Sequence, residues 1–300
     1  MSFRHIFVVF SRVTLLAIFS CLVTGSLVTR GQQPKADPPA ANQQQPKPKN
    51  EPAPAQVQKG VLTAEQIAEG AILIAGNGYG RLVLDQIRRN GIERGRLTRI
   101  MEDGRSEEAR YELRFVRGEK SEKDKVRLDN KTAQAEYSLI YGGGRIFGII
   151  NGSPFTPRAE ASADFIAQQA HSIEALLRYK ENGSKLSSAG KDKQQGIEVY
   201  AIDLIDNANR KTRYFISART LRILWLEYEE TPPGGSTPIK YTKRFYDHRI
   251  VQGTLVPYRT VLMEDGKQIL EMRILTVTYG VKMEDSLFQN PEAASSAGNP

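Results

Sequence analysis

Three hundred residues with a formal net charge of +8 are enough for one or two domains. Five of those eight charges precede residue 60: Arg4, Arg12 and Arg30 are unopposed, and four lysines then face Asp37 and Glu51, leaving the rest of the chain too weakly basic for a nucleic-acid surface. A single cysteine, Cys21, and three histidines, His5, His171 and His248, exclude an intramolecular disulfide, a thiolate metal centre and a histidine-rich one.

Residues 1–31 read as an export signal or N-terminal anchor. Arg4 and Arg12 precede an apolar run from Val13 to Val28, which is short for a membrane span. The reading leaves three outcomes open: cleavage after Ser26 or Gly31, lipidation at Cys21, or retention as an anchor. Each places the following domain outside the cytoplasm, where a cysteine-free domain works without redox control. Residues 32–59, rich in Pro, Gln and Lys, bury too little apolar surface to offset chain entropy and are expected to be a disordered linker.

A folded domain is expected from residue 60 to 291, with a disordered tail at 292–300. Thr63 and Gln66 form a capping box ahead of a helix reaching Ala75, with Leu62 and Ile67 spaced as a hydrophobic staple. Gly76-Asn77-Gly78-Tyr79-Gly80 breaks it, and a second helical piece covers Arg81–Arg89. The Gly76-x-Gly78 pair superficially matches a dinucleotide fingerprint, but Arg81 stands where the third glycine belongs and no βαβ unit follows.

From Arg96 onward the periodicity is that of strands. Tyr111, Leu113 and Phe115 alternate with polar residues, as do Tyr137, Leu139 and Tyr141 before the Gly142-Gly143-Gly144 turn. Glu160–Lys180 reads as one amphipathic helix, with Phe165, Ile166, Ala170, Ile173, Leu176 and Leu177 on one face. His171 and Glu174, at i and i+3 on it, read as a solvated or hydrogen-bonded pair rather than metal ligands. Strands follow near Ser184–Ser188, Gly196–Ile205, Lys211–Ala218 and Leu221–Glu229. Three more close the chain at Tyr241–His248, Leu255–Met263 and Ile269–Tyr279. Leu221–Leu226 is apolar on both faces and includes Ile223 and Trp225.

The pattern predicts an α+β fold: a strongly curved antiparallel sheet of about 10–11 strands, with helices on its concave side. No nucleophile elbow, zinc-binding helix or phosphate loop is present, and no carboxylate pair stands out, so the expectation is a protein that is not an enzyme and carries no cofactor.

Phe245-Tyr246-Asp247-His248-Arg249, then Gly253 and Pro257, a final hairpin, and Asp285, Phe288 and Pro291 make a recognisable ending. Over residues 60–291 this layout resembles the outer membrane lipoprotein carrier (LolA/LolB-like) superfamily, and within it the outer membrane lipoprotein-sorting proteins. The resemblance implies a strongly curved, unclosed antiparallel β-barrel with helices covering its concave face, an apolar cavity within it that shields a lipid or lipoprotein acyl chain, a periplasmic location, transport or sorting in the cell envelope, and a monomer. Partners would be an envelope membrane protein or an acceptor lipoprotein, with no nucleic acid. The candidate cavity residues are Tyr111, Leu113, Phe115, Tyr137, Leu139, Tyr141, Ile223, Trp225 and Tyr258. The long linker and the loops at 119–124 and 230–237 depart from the pattern of a small free shuttle. They leave an alternative: a tethered envelope sensor or regulator that binds a protein partner.

Overall fold

The computed structural model describes residues 62–290, so the expected signal or anchor, the linker and the C-terminal tail lie outside the described residues. Two helices open the chain. In α1 (Ala64–Ala75) the capping box is formed: Gln66 N–H donates to Thr63 Oγ1 and Thr63 N–H donates to Gln66 Oε1. Of the staple pair Ile67 is buried while Leu62 stays exposed. The glycine cluster is a helix break. A side chain at Gly76 would meet the carbonyl oxygen of Gly80 at 2.4 Å, and Asn77, Gly78 and Gly80 have positive φ. The chain then turns into α2 (Arg81–Ile87).

The strands are β1 (Asn90–Ile100), β2 (Ser106–Val116), β3 (Lys125–Lys131), β4 (Glu136–Gly142), β5 (Arg145–Ile150) and β6 (Ser153–Phe155), then β7 (Lys185–Gln194), β8 (Ile197–Ile205), β9 (Lys211–Ser217), β10 (Ile223–Glu230), β11 (Ile239–Val251), β12 (Thr254–Glu264) and β13 (Lys267–Tyr279). All thirteen form one antiparallel sheet in the order β6-β5-β4-β3-β2-β1-β13-β12-β11-β10-β9-β8-β7. Two meanders are joined where β1 pairs with β13, and β6 and β7 remain as unpaired edges, so the sheet does not close.

The count exceeds the expected ten or eleven. β6 is only three residues long, and β1 begins at Asn90 rather than Arg96. Gly91 hides the start of β1 from a propensity reading, yet glycine is required there. A Cβ at that position would lie 2.8 Å from the Tyr279 ring and 2.9 Å from the Phe115 ring.

The chain passes from edge β6 to edge β7 through two helices, where the sequence reads one. α3 (Ala159–Ala170) ends at His171, and α4 (Ile173–Leu177) begins after Ser172, whose hydroxyl accepts from Ala175 N–H. The break has a tertiary cause: His171 is held by side chains of β9 and β10, and Tyr214 of β9 donates its hydroxyl to the Ser172 carbonyl.

Strand alternation divides the sheet residues into two faces. On one, α1 and α4 pack over β8–β11, with Ile67, Ile72, Leu176, Ile202, Leu204, Tyr214, Ile216 and Leu226 in the main core. A second cluster on the same face joins Phe165 of α3 and Ile87 of α2 to β2–β5 and β11–β13. A third cluster, Val199, Ala201, Phe215 and Trp225, comes from the opposite set of alternating positions.

Candidate functional site

The second cluster is the candidate site. Its buried members are Phe115, Val126, Phe165, Val256, Val277 and Tyr279. Cross-strand register explains how they meet: Phe115 lies opposite both Gly91 and Val126, Val126 opposite Tyr141, and Gly91 opposite Tyr279. Phe115 and Tyr279 meet edge to face at 6.3 Å. Phe165 is the one buried residue of α3, so this helix is seated on the cluster through a single anchor.

Five of the sequence-derived residues fall here together: Phe115 is buried, and Leu113, Leu139, Tyr141 and Tyr258 are packed against the cluster half-buried. Tyr111 and Tyr137 share their alternation on β2 and β4, farther from the strand ends where the cluster sits. Tyr111 is buried and donates its hydroxyl to Glu93 Oε1 at 2.7 Å. Ile223 belongs to the main core. Trp225 is on the other face, stacked on Phe215 at 4.6 Å with Arg244 over its ring. The apolar run through Leu226 does not show which face each residue takes. The β10–β9 register shift between Ile223 and Trp225 puts these two residues on opposite sides.

Polar groups surround this apolar patch. Arg88, at the C-terminal cap of α2, pairs with Glu174 of α4 and lies 5.6 Å from the Tyr279 ring centre. Burial opposes charge on Glu174, but Arg88, with Arg117 and Arg178, holds its carboxyl below the usual range. Nε and Nη1 of Arg88 find no hydrogen-bond partner among the described residues. Burial pushes Glu93 up, against the Tyr111 hydroxyl and Arg88. Burial and then Glu93 push the Tyr111 phenol far above its ordinary value. Asp124 takes hydrogen bonds from Arg117, Arg178 and Gly118 N–H, clamping the β2–β3 loop to the end of α4.

The α3–α4 break is bolted to three strands. His171 Nε2 lies 2.9 Å from Glu230 Oε1 and Nδ1 lies 2.7 Å from Thr212 Oγ1, with the ring stacked on Tyr228 at 3.9 Å. A carboxylate only accepts, so Nε2 carries the proton toward Glu230 and Nδ1 accepts from Thr212. Burial lowers the His171 pKa despite Glu230. His171 and Glu174 are therefore hydrogen-bonded, but to separate partners. Lys243 of β11 reaches across to donate to the carbonyls of His171 at 2.8 Å and Gln168 at 3.4 Å, and burial pulls its pKa down to about 7.

Sequence reasoning missed these polar groups. Arg88 and Glu174 are 86 residues apart, and His171 and Lys243 are 72 apart, so no local motif links them. Lys243 carried one signal: it shares the alternation of Tyr241 and Phe245, an inward set.

No protein-family model and no curated protein sequence matches the chain. Solved structures do. A protein described as an outer membrane lipoprotein-sorting domain, from Vibrio parahaemolyticus, shares 14% identity over 74% of this chain and 97% of its own, at a TM-score of 0.50. A LolA superfamily protein from Nitrosomonas europaea shares 10% identity over 77% and 100%, at 0.53. A DUF1329 family protein from Desulfovibrio piger shares 10% over 76% and 98%, at 0.52. At these identities the likeness speaks for the backbone arrangement: the chain has the LolA/LolB-like fold.

Proposed function

We propose that this is an exported, non-enzymatic binding protein that holds an acyl chain of a lipid or lipoprotein between α3 and the inner face of the sheet, for transport or sorting in the cell envelope. The observation that carries the reading is the seating of α3: one buried side chain, Phe165, covers an apolar cluster drawn from β2–β5 and β11–β13. Side chains fill the cluster, so a ligand enters by taking the place of Phe165 as α3 lifts. Each methylene so buried contributes about 0.8 kcal/mol, which makes a modest opening worthwhile for a long chain. A cavity of about 430 Å³ lies elsewhere, among Arg96, Glu108, Arg110 and Lys131, and its polar lining suits no acyl chain. The helices then serve as the cover of the binding face, in a periplasmic monomer that hands its cargo to an envelope acceptor.

The test is direct. Lipid extracted from the purified protein is identified by mass spectrometry, and a fluorescent fatty-acid probe is titrated and displaced. Micromolar probe binding that is lost in Leu139→Asp and retained in Trp225→Ala supports the reading. Absence of both extracted lipid and probe binding overturns it and favours the protein-binding sensor.

A further inference from the structure

One end of the sheet carries apolar side chains that no described residue covers. At the α1–α2 break Tyr79 is 70% exposed, and Leu82 and Leu73 on either side are 64% and 47% exposed. On the β11–β12 hairpin Ile250 is 60% exposed. These elements are neighbours: a groove is lined by Ile74, Asn77 and Gly78 from the break, by Thr220 and Arg222 from the β9–β10 turn, and by Ile250 and Leu255 from the hairpin. A side chain at Gly253 would lie 3.8 Å from Val83 of α2. Scattered apolar residues on a surface are ordinary, but several gathered on adjoining tips mark an interaction surface.

The tip is rigid. Gly76, Asn77 and Gly78 N–H groups donate to the carbonyls of Ile72, Ile74 and Leu73, which locks the turn that presents Tyr79. The charge beside it is positive. Arg219 and Arg222 are exposed, with no salt bridge among the described residues; Arg249 is exposed but lies over the Tyr258 ring at 4.3 Å, and Asp247 is the exposed acid on its hairpin. Arg81 is committed elsewhere, to Glu69 and Glu181. A tyrosine and three aliphatic side chains beside Arg219 and Arg222 match an anionic bilayer surface, where aromatic and aliphatic tips enter the interface and arginines meet phosphates. Among the described residues no helix is long and apolar enough to cross a membrane.

We infer that the α1–α2 break and the β11–β12 hairpin form a docking tip for an anionic lipid bilayer, with Tyr79, Leu82 and Ile250 entering the interface. The tip adjoins the acyl-chain site: Val251 and Val256, in the cluster beneath α3, are chain neighbours of the groove residues Ile250 and Leu255. The inference goes beyond the acyl-chain reading and does not need it, because vesicle contact is read with no ligand bound.

The apolar run at Val13–Val28 could itself hold the full chain on vesicles, so the readout is local. In the Cys21→Ser background, Leu82→Cys and Tyr79→Cys are labelled with an environment-sensitive dye. Glu102→Cys, on the β1–β2 turn at the other end of β1, is the control. Vesicles of equal parts phosphatidylcholine and phosphatidylglycerol are expected to shift the tip dyes to the blue and expose them to a lipid-borne quencher, leaving the Glu102 dye unchanged. Adding Arg219→Ala and Arg222→Ala is expected to raise the lipid needed by on the order of tenfold, with unchanged circular dichroism. The inference is overturned by tip dyes that respond no more than the control. It is equally overturned by tip dyes already blue-shifted without vesicles, which would mean that the leader or a second copy covers the tip. An equal response to phosphatidylcholine alone overturns the role of the arginines.

Discussion

Lys243 Nζ donates to the His171 carbonyl at 2.8 Å, tying the C-terminal end of α3 to β11. The contact places a cation where a helix leaves unpaired carbonyls and favours positive charge. Burial opposes that charge and brings the Lys243 pKa to about 7.

A lysine whose folded pKa is depressed makes the unfolded chain the stronger proton binder between the two values. Wild-type stability should therefore rise from about pH 7 toward the ordinary lysine value of 10.5. Lys243→Met lacks this dependence. Urea denaturation of both proteins across that window should show the difference between them moving in favour of wild type as pH rises. Parallel curves would refute the buried titration.

His171 acts in a lower window. Its folded pKa lies below the usual 6.5, so the stabilisation present above that value is lost as pH falls through the folded pKa. His171→Gln should unfold more easily than wild type at neutral pH, because Thr212 and Glu230 lose their partner. It should also show a shallower loss of stability below pH 6.5. Thermal melts at stepped pH measure both.

Removing one member of the Arg88–Glu174 pair strands the other. Glu174→Gln should cost about 3 kcal/mol or more, whereas Arg88→Met with Glu174→Leu should recover much of it, since an enclosed ion pair contributes little net stability beyond an apolar replacement. A cycle of Arg88→Met, Glu174→Leu and the two combined, measured by chemical denaturation, gives the coupling.

Gly91→Ala should destabilise by about 1–3 kcal/mol, because the new methyl falls within 3 Å of both the Tyr279 and Phe115 rings, and two packed aromatics must move. Calorimetry gives the size of the loss. The near-ultraviolet signal of the tyrosines should change with it.

Phe165→Ala separates cover from core. It should lower stability by about 3 kcal/mol and speed the entry of a fluorescent acyl probe, since α3 loses its anchor on the cluster. Stopped-flow mixing would show slower or unchanged entry if α3 were not the cover.

Local chemistry was legible in the chain. The Thr63–Gln66 capping box, the glycine break at 76–80, the alternation of Tyr111, Leu113 and Phe115, and the last three strands all arise from groups within a few residues of one another, where spacing and φ preference act directly. The ending from Phe245 to Phe288 likewise pointed to the LolA/LolB-like fold that the solved structures share. Tertiary contacts decided the rest. A helix-periodic run from Glu160 to Lys180 divides at His171 because β9, β10 and β11 supply better partners for that ring and carbonyl than another helical turn does. Trp225 and Ile223 take opposite faces because one register shift reverses the alternation between them. The pairing of Arg88 with Glu174 depends on tertiary packing that brings the C-terminal cap of α2 to α4. Sequence periodicity determines which residues share a face only along an unbroken strand; where a register shift falls, which face meets a helix, and which charge meets its partner depend on groups tens of residues away.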